Sequence, residues 1–180
     1  MGTRHITRVI DKTGNTVVSN YGQWDGYPMG QGLYTMMMMA EDSSLLTRLE
    51  TNLNGINTVT TDEELHDIYQ KHGFTISETG FISIEESEER FKVLPELHRD
   101  TGSTILKLIA DKPNINLLYT DDENINSWCE YINTIDFQKN TFDIKTSLKS
   151  APIYTISINN GITNTDVEEF IDKFKEISYV

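Results

Sequence analysis

A chain of 180 residues is long enough for one domain to bury a core without a metal or disulfide staple. Its 37% hydrophobic content, mean hydropathy of −0.42 and lack of any apolar run near the roughly 20 residues of a membrane span predict a protein with no membrane partner. The formal charge of −13, with 15 Lys and Arg dispersed among 28 Asp and Glu, argues against a nucleic-acid partner, because no basic cluster is left to meet phosphates.

The N-terminus, MGTRHITRVI, lacks the apolar core of a signal peptide, and Ile6 stands where a myristoylation site wants a hydroxyl, so a cytoplasmic location is expected. Residues 4–11 and 16–21 are rich in β-branched residues and are separated by Lys12, Thr13, Gly14 and Asn15, which predicts a hairpin. The second strand runs into YGQWDGYPMGQG, residues 21–32. That stretch combines rings, amides, one carboxylate and four glycines, the composition of a binding site held rigidly by a sheet.

Beyond Gly32 the pattern turns helical, through Leu33, Met36 to Met39, Leu45, Leu46, Leu49 and Leu53. Consecutive methionines fan around a helix and do not converge on a soft metal, so they read as core. Thr61 with Glu64 forms a capping box for a helix ended by Gly73. Residues 74–84 alternate loosely, as a short strand pair or a strap. A helix over 86–97, with Phe91, Leu94 and Leu97 in register, presents Glu85, Glu86, Glu88 and Glu89 as a solvated face, and a second helix spans 104–110. Strands are predicted over 117–119, 130–136, 141–146 and 152–158, the middle two joined through Gln138, Lys139 and Asn140. A capping box at Thr165 and Glu168 starts the last helix, with Val167, Phe170, Ile171, Phe174 and Ile177 on one stripe. The order predicts a single α+β domain over 1–180, with a mostly antiparallel sheet made of the N-terminal hairpin and the C-terminal meander, packed with helices.

Few residues suit covalent or metal chemistry. Cys129, beside Trp128 at the start of an apolar stretch, reads as a buried inert thiol. His5, His66, His72 and His98 show no metal-ligand spacing, and no cofactor is expected. Asp100 to Ser103 spell the DTGS of aspartic proteases, but His98 and Arg99 precede it where an apolar strand is needed and no second copy exists. Asp100 or Ser103 is instead expected to cap the helix that begins at Thr104.

The TRH near the start, the YGQWDGYPMGQG loop, RDTGSTIL and WCEYINTIDFQKNTFDI together resemble a family of small uncharacterised phage and bacterial proteins, over residues 2–146; more distant fungal relatives share a variant of the first loop. The resemblance implies one constellation of Thr3, Arg4, Tyr21, Asp25, Tyr27, Pro28 and Gly32. The start of the chain also resembles N-terminal nucleophile hydrolases, which carry a glycine, a polar residue and an Asp after the second strand, as Gly22, Gln23 and Asp25 are placed here. That resemblance implies Thr3 as nucleophile, with its own amine as base and Asp25 as orienting group, once Met1 and Gly2 are removed. Gly2, which carries no nucleophile, departs from the pattern.

The expected function is binding of a small polar, aromatic or nucleotide-like ligand by Arg4, Arg8, Tyr21, Gln23, Trp24, Asp25, Tyr27 and Gln31. Arg4 and Arg8 counter a phosphate, Trp24 or Tyr27 stacks on a base, and Asp25 accepts from its edge. In a phage setting such binding sequesters a host defence signal, or the protein inhibits a host protein. The alternatives are the amidohydrolase and an acidic protein-interaction module. A homo-oligomer is compatible with every reading. Packing of Trp24 and Tyr27 into the core, with the glycines only turning the chain, is the competing structural explanation of the loop.

Overall fold

The computed structural model describes residues 2–75, 82–121 and 129–176. The N-terminal hairpin pairs β1 (His5–Ile10) with β2 (Thr16–Gly22). Asp11 shapes its turn, with Oδ1 accepting from the backbone of Thr13 and Asn15. The turn 28–32 that follows leads directly into α1 (Leu33–Glu41). Asp42, which accepts from the Ser44 amide and hydroxyl, separates α1 from α2 (Leu45–Asn52), dividing one continuous helical pattern in two.

A strand that the pattern does not suggest follows, β3 (Ile56–Val59), and it pairs in parallel with β4 (Ile115–Leu118). Four residues are too few to display a period. Between them lie α3 (Asp62–Lys71), opened by the Thr61–Glu64 capping box as expected, α4 (Ile84–Val93) and α5 (Ile105–Asp111). The expected helix over 86–97 is therefore shorter at its end. Pro95 has no N–H to continue the ladder and disfavours helical backbone at Leu94, which sits at φ −132°, and a tight turn at Pro95–Leu97 takes over. The strap or strand pair expected over 74–84 falls largely outside the described residues.

The C-terminal part contains β5 (Tyr131–Asp136), β6 (Thr141–Thr146), β7 (Tyr154–Ser157) and α6 (Asn164–Phe174). The box that opens α6 is Thr163 with Asp166, not Thr165 with Glu168. Both pairs have the right spacing, but Thr163 has the extended backbone that a cap requires.

The fold is α+β, and its main sheet has the order β2-β1-β5-β6-β7. All pairs are antiparallel except β1 with β5. The hairpin and the meander are thus one sheet, joined by a parallel contact between strands some 120 residues apart. The principal core lies where α1, α2, α5 and α6 cover one sheet face; Val9, Met36, Leu49, Ile109, Phe142 and Phe170 meet there, all fully buried. Met36, Met38 and Met39 are buried in it and Met37 faces solvent. A second cluster, Val59, Tyr69, Leu94 and Leu97, belongs to the small sheet and its helices. Bonds from Thr120 N–H to Ser19 O at 2.8 Å, from the Ser19 hydroxyl to Thr120 O at 2.7 Å and from Asn20 Nδ2 to Leu118 O at 3.4 Å dock that unit on the edge of β2.

Candidate functional site

The 21–32 loop is built by its own contacts. Gly26 N–H donates to Thr3 O at 2.9 Å, and Gln31 N–H to Asp25 O at 2.8 Å. Asp25 takes the left-handed conformation, φ 54°, that Asp tolerates better than most residues. Its carboxylate accepts from the Tyr27 hydroxyl at 3.3 Å. The Tyr21 hydroxyl donates to the Gln23 side chain. Glycines serve close packing here: the His5 ring lies against Gly22, and a β-carbon on Gly26 would come 2.7 Å from that of His5. Trp24 is 48% exposed and its ring lies over Gly2.

Gln31 has a structural partner. Its side-chain oxygen accepts the Ser103 N–H at 2.8 Å, and its carbonyl accepts from the hydroxyls of Thr35 and Ser103. The cap expected from Asp100 or Ser103 thus comes from a residue 72 positions away. Gly102, at φ 54°, must lack a side chain at this contact, since a β-carbon would stand 2.6 Å from Gln31 Oε1. Gln23 N–H adds a second link, to Arg99 O at 3.1 Å. The RDTGS segment and the aromatic loop are therefore two halves of one surface.

Arg4, Ile6 and Arg8 alternate onto the sheet face opposite the main core. Ile6, Ile132, Cys129 and Tyr21 pack there, the Arg4 amide donates to Glu130 Oε2 at 2.7 Å, and both guanidinium groups act on the Cys129 thiol. Burial dominates that thiol and pushes its pKa up to about 12, which makes Cys129 a poor nucleophile. Burial likewise raises the Tyr21 phenol, with the nearby charges of Arg4 and Arg99 opposing it.

A groove of about 470 Å³ opens beside this surface. Val59, Leu65 and Leu118 make it partly apolar, and Tyr21 and Tyr119 bring rings to it. Arg99 lies at the level of Gln23, and Asp121 follows Thr120 at the level of Ser19. Four residues of strand separate these levels, about 13 Å. Asp62, in the first turn of α3 with Glu63 and Glu64, also lines the groove. By backbone level Arg99, whose Nε lies 3.9 Å from Asp100 Oδ1, stands toward one end of the groove and Asp121 toward the other.

Comparison with protein-family models, curated proteins and solved structures gives no match.

Of the eight side chains expected to bind, Tyr21 lines this groove; Gln23 bonds to the Tyr21 hydroxyl, and the charge of Arg4 acts on that phenol, but neither Arg4 nor Gln23 is in the lining. Arg8, Trp24, Asp25, Tyr27 and Gln31 are not in its lining. Sequence reasoning missed Asn20, His98, Arg99, Tyr119 and Asp121. His98 and Arg99 had a signal, standing next to an unusual DTGS, but counted only against a protease. His98 is fixed by its neighbours: Nδ1 accepts the Asp100 N–H at 3.1 Å, Nε2 bonds Ser87 Oγ at 3.1 Å, and Phe91 lies 4.9 Å away, ring to ring. Burial lowers its pKa, so it faces the groove as a neutral ring. Among the described residues no group of His, Cys, Asp and Glu is placed to hold a metal ion, and no helix is long and apolar enough to cross a membrane.

Proposed function

We propose that the protein binds a small nucleotide-like ligand in this groove, with no reaction assigned to it. The observation that carries the reading is the placing of Arg99 and Asp121 at different backbone levels along one partly apolar cleft. Arg99, backed by Arg4, suits a phosphate. Tyr21 and Tyr119 offer faces for a base, and the carboxylates of Asp62 and Asp121 suit the N–H donors on its edge. The 21–32 loop then acts as the support that sets Tyr21 and Arg99. The resemblance to phage proteins extends the reading to sequestration of a host signalling nucleotide.

Thermal unfolding with guanosine monophosphate, adenosine monophosphate, the two free nucleosides and inorganic phosphate tests this. A nucleotide at a hundred times its Kd adds about 2.7 kcal/mol to stability, or several degrees in Tm. Arg99→Ala should lessen the gain for nucleotides more than for nucleosides, and Asp121→Asn should weaken both. Absence of stabilisation by every compound, at concentrations up to several millimolar, sinks the reading.

A further inference from the structure

The sheet face under the main core is not apolar throughout. Cross-strand register arranges it in rows. Val18, Val9, Ile135, Phe142 and Ile156 form one. The next runs through Asn20, Thr7 and Asn133 before returning to apolar Ile144 and Tyr154, and the one beyond it holds Gly22, His5, Tyr131 and Thr146. His5, Thr7, Asn20 and Asn133 are each 3% exposed or less. Both ring nitrogens of His5, Thr7 Oγ1, Asn20 Oδ1, both amide atoms of Asn133 and Thr146 Oγ1 are buried and have no hydrogen-bond partner among the described residues.

Neighbouring strands lie about 4.8 Å apart and residues two apart on a strand about 6.7 Å, so these side chains form one contiguous patch. A buried donor or acceptor left unpaired loses its full solvation free energy. The cost of leaving seven such atoms unpaired in one place is comparable with the whole stability of a single domain. The turn 102–104 packs against β1 and β2, and the turn 28–32, joined to it by the Gln31–Ser103 bond, brings Gly32 against Ile144. Asn20 also lines the groove.

We propose that His5, Thr7, Asn20, Asn133 and Thr146 form an interior site that binds an uncharged guest carrying both hydrogen-bond donors and acceptors. All five side chains are uncharged, since burial keeps the His5 ring neutral with a pKa of about 4. A charged guest would go uncompensated there. Ordered water and the uncharged edge of a ligand entering past Asn20 share this chemistry. The proposal stands on the cluster and does not depend on the groove reading.

Two measurements on the full chain test it. Thr7→Val replaces a hydroxyl by a methyl of similar shape. If the hydroxyl is bonded to a guest, Tm falls by about 2–4 °C and Thr7→Ser keeps most of the wild-type value; a Tm at or above wild type for Thr7→Val overturns the proposal. If Thr7→Val fails to fold, ¹⁵N and water-exchange NMR of the wild-type His5 ring decides the matter. Hydrogen-bonded nitrogen shifts with a cross-peak to water identify water as the guest, and shifts that move on addition of guanosine monophosphate identify a ligand edge. Shifts of an unbonded neutral imidazole, with neither a water cross-peak nor a response to the nucleotide, overturn it.

Discussion

Gln31 Oε1 accepts the backbone N–H of Ser103 at 2.8 Å, one of the bonds that join the aromatic loop to the RDTGS segment, beside those from Ser103 Oγ to Gln31 O and from Gln23 N–H to Arg99 O. Ser103 is fully buried, so its amide has no recourse to water. The bond also explains the glycine at 102, whose position and left-handed backbone leave no room for a side chain against Gln31.

Gln31→Ala should therefore destabilise the fold by about 1–3 kcal/mol, the cost of stranding a buried donor. Gln31→Glu keeps an acceptor and should lose less. Gly102→Ala should also destabilise, through strain and contact together. Urea unfolding with unchanged m-values checks all three. A neutral Gln31→Ala would mean that the two segments hold together without this bond.

His5 makes stability depend on pH. Burial lowers its pKa from 6.5 to about 4, so between these values the unfolded chain binds a proton that the folded one refuses. The stabilisation is fully present above pH 6.5 and is lost as pH falls toward 4. At about 1.4 kcal/mol per pH unit, the loss amounts to about 3 kcal/mol. His5→Phe should flatten the difference in unfolding free energy between pH 7 and pH 4.5, measured against wild type so that the carboxylates common to both cancel. An unaltered slope in the variant would place the acid sensitivity elsewhere.

Arg90 anchors the small sheet's helices. It is 7% exposed, lies 4.3 Å over the Tyr69 ring, pairs with Glu86 at 2.5 Å and donates to Thr75 O at 3.1 Å. Arg90→Ala should cost about 2–4 kcal/mol, while Glu86→Gln, on the more exposed partner, should cost under about 1 kcal/mol. Chemical denaturation gives both values, and equal losses would show that the ion pair outweighs the ring contact. The acidic run at 85–89 is thus mostly a solvated face, with Glu86 turned to a structural task.

The fold class, both hairpins, the methionine-rich core and the inert cysteine were legible from the residues, because each rests on local pattern. Turn residues at 12–15 and 138–140 define hairpins by themselves, and a helical period reports its buried face. Local pattern also misled where two readings shared one spacing, as at the α6 capping box, or where one proline outweighed a register, as at Pro95. The composition of the 21–32 loop drew attention to that segment but did not disclose what its side chains meet. Its glycines meet His5 and its Gln31 meets Ser103, contacts between residues far apart in the chain.

What the sequence determined by itself is therefore the set of elements and the polar, ring-bearing character of one loop, since propensity and periodicity act over a few residues. The parallel pairing of β1 with β5, the docking of β4 beside β2 and the groove between Arg99 and Asp121 were decided only by tertiary structure. Each depends on pairing backbone and burying surface between segments tens of residues apart, and no local pattern records which distant partner offers the better fit.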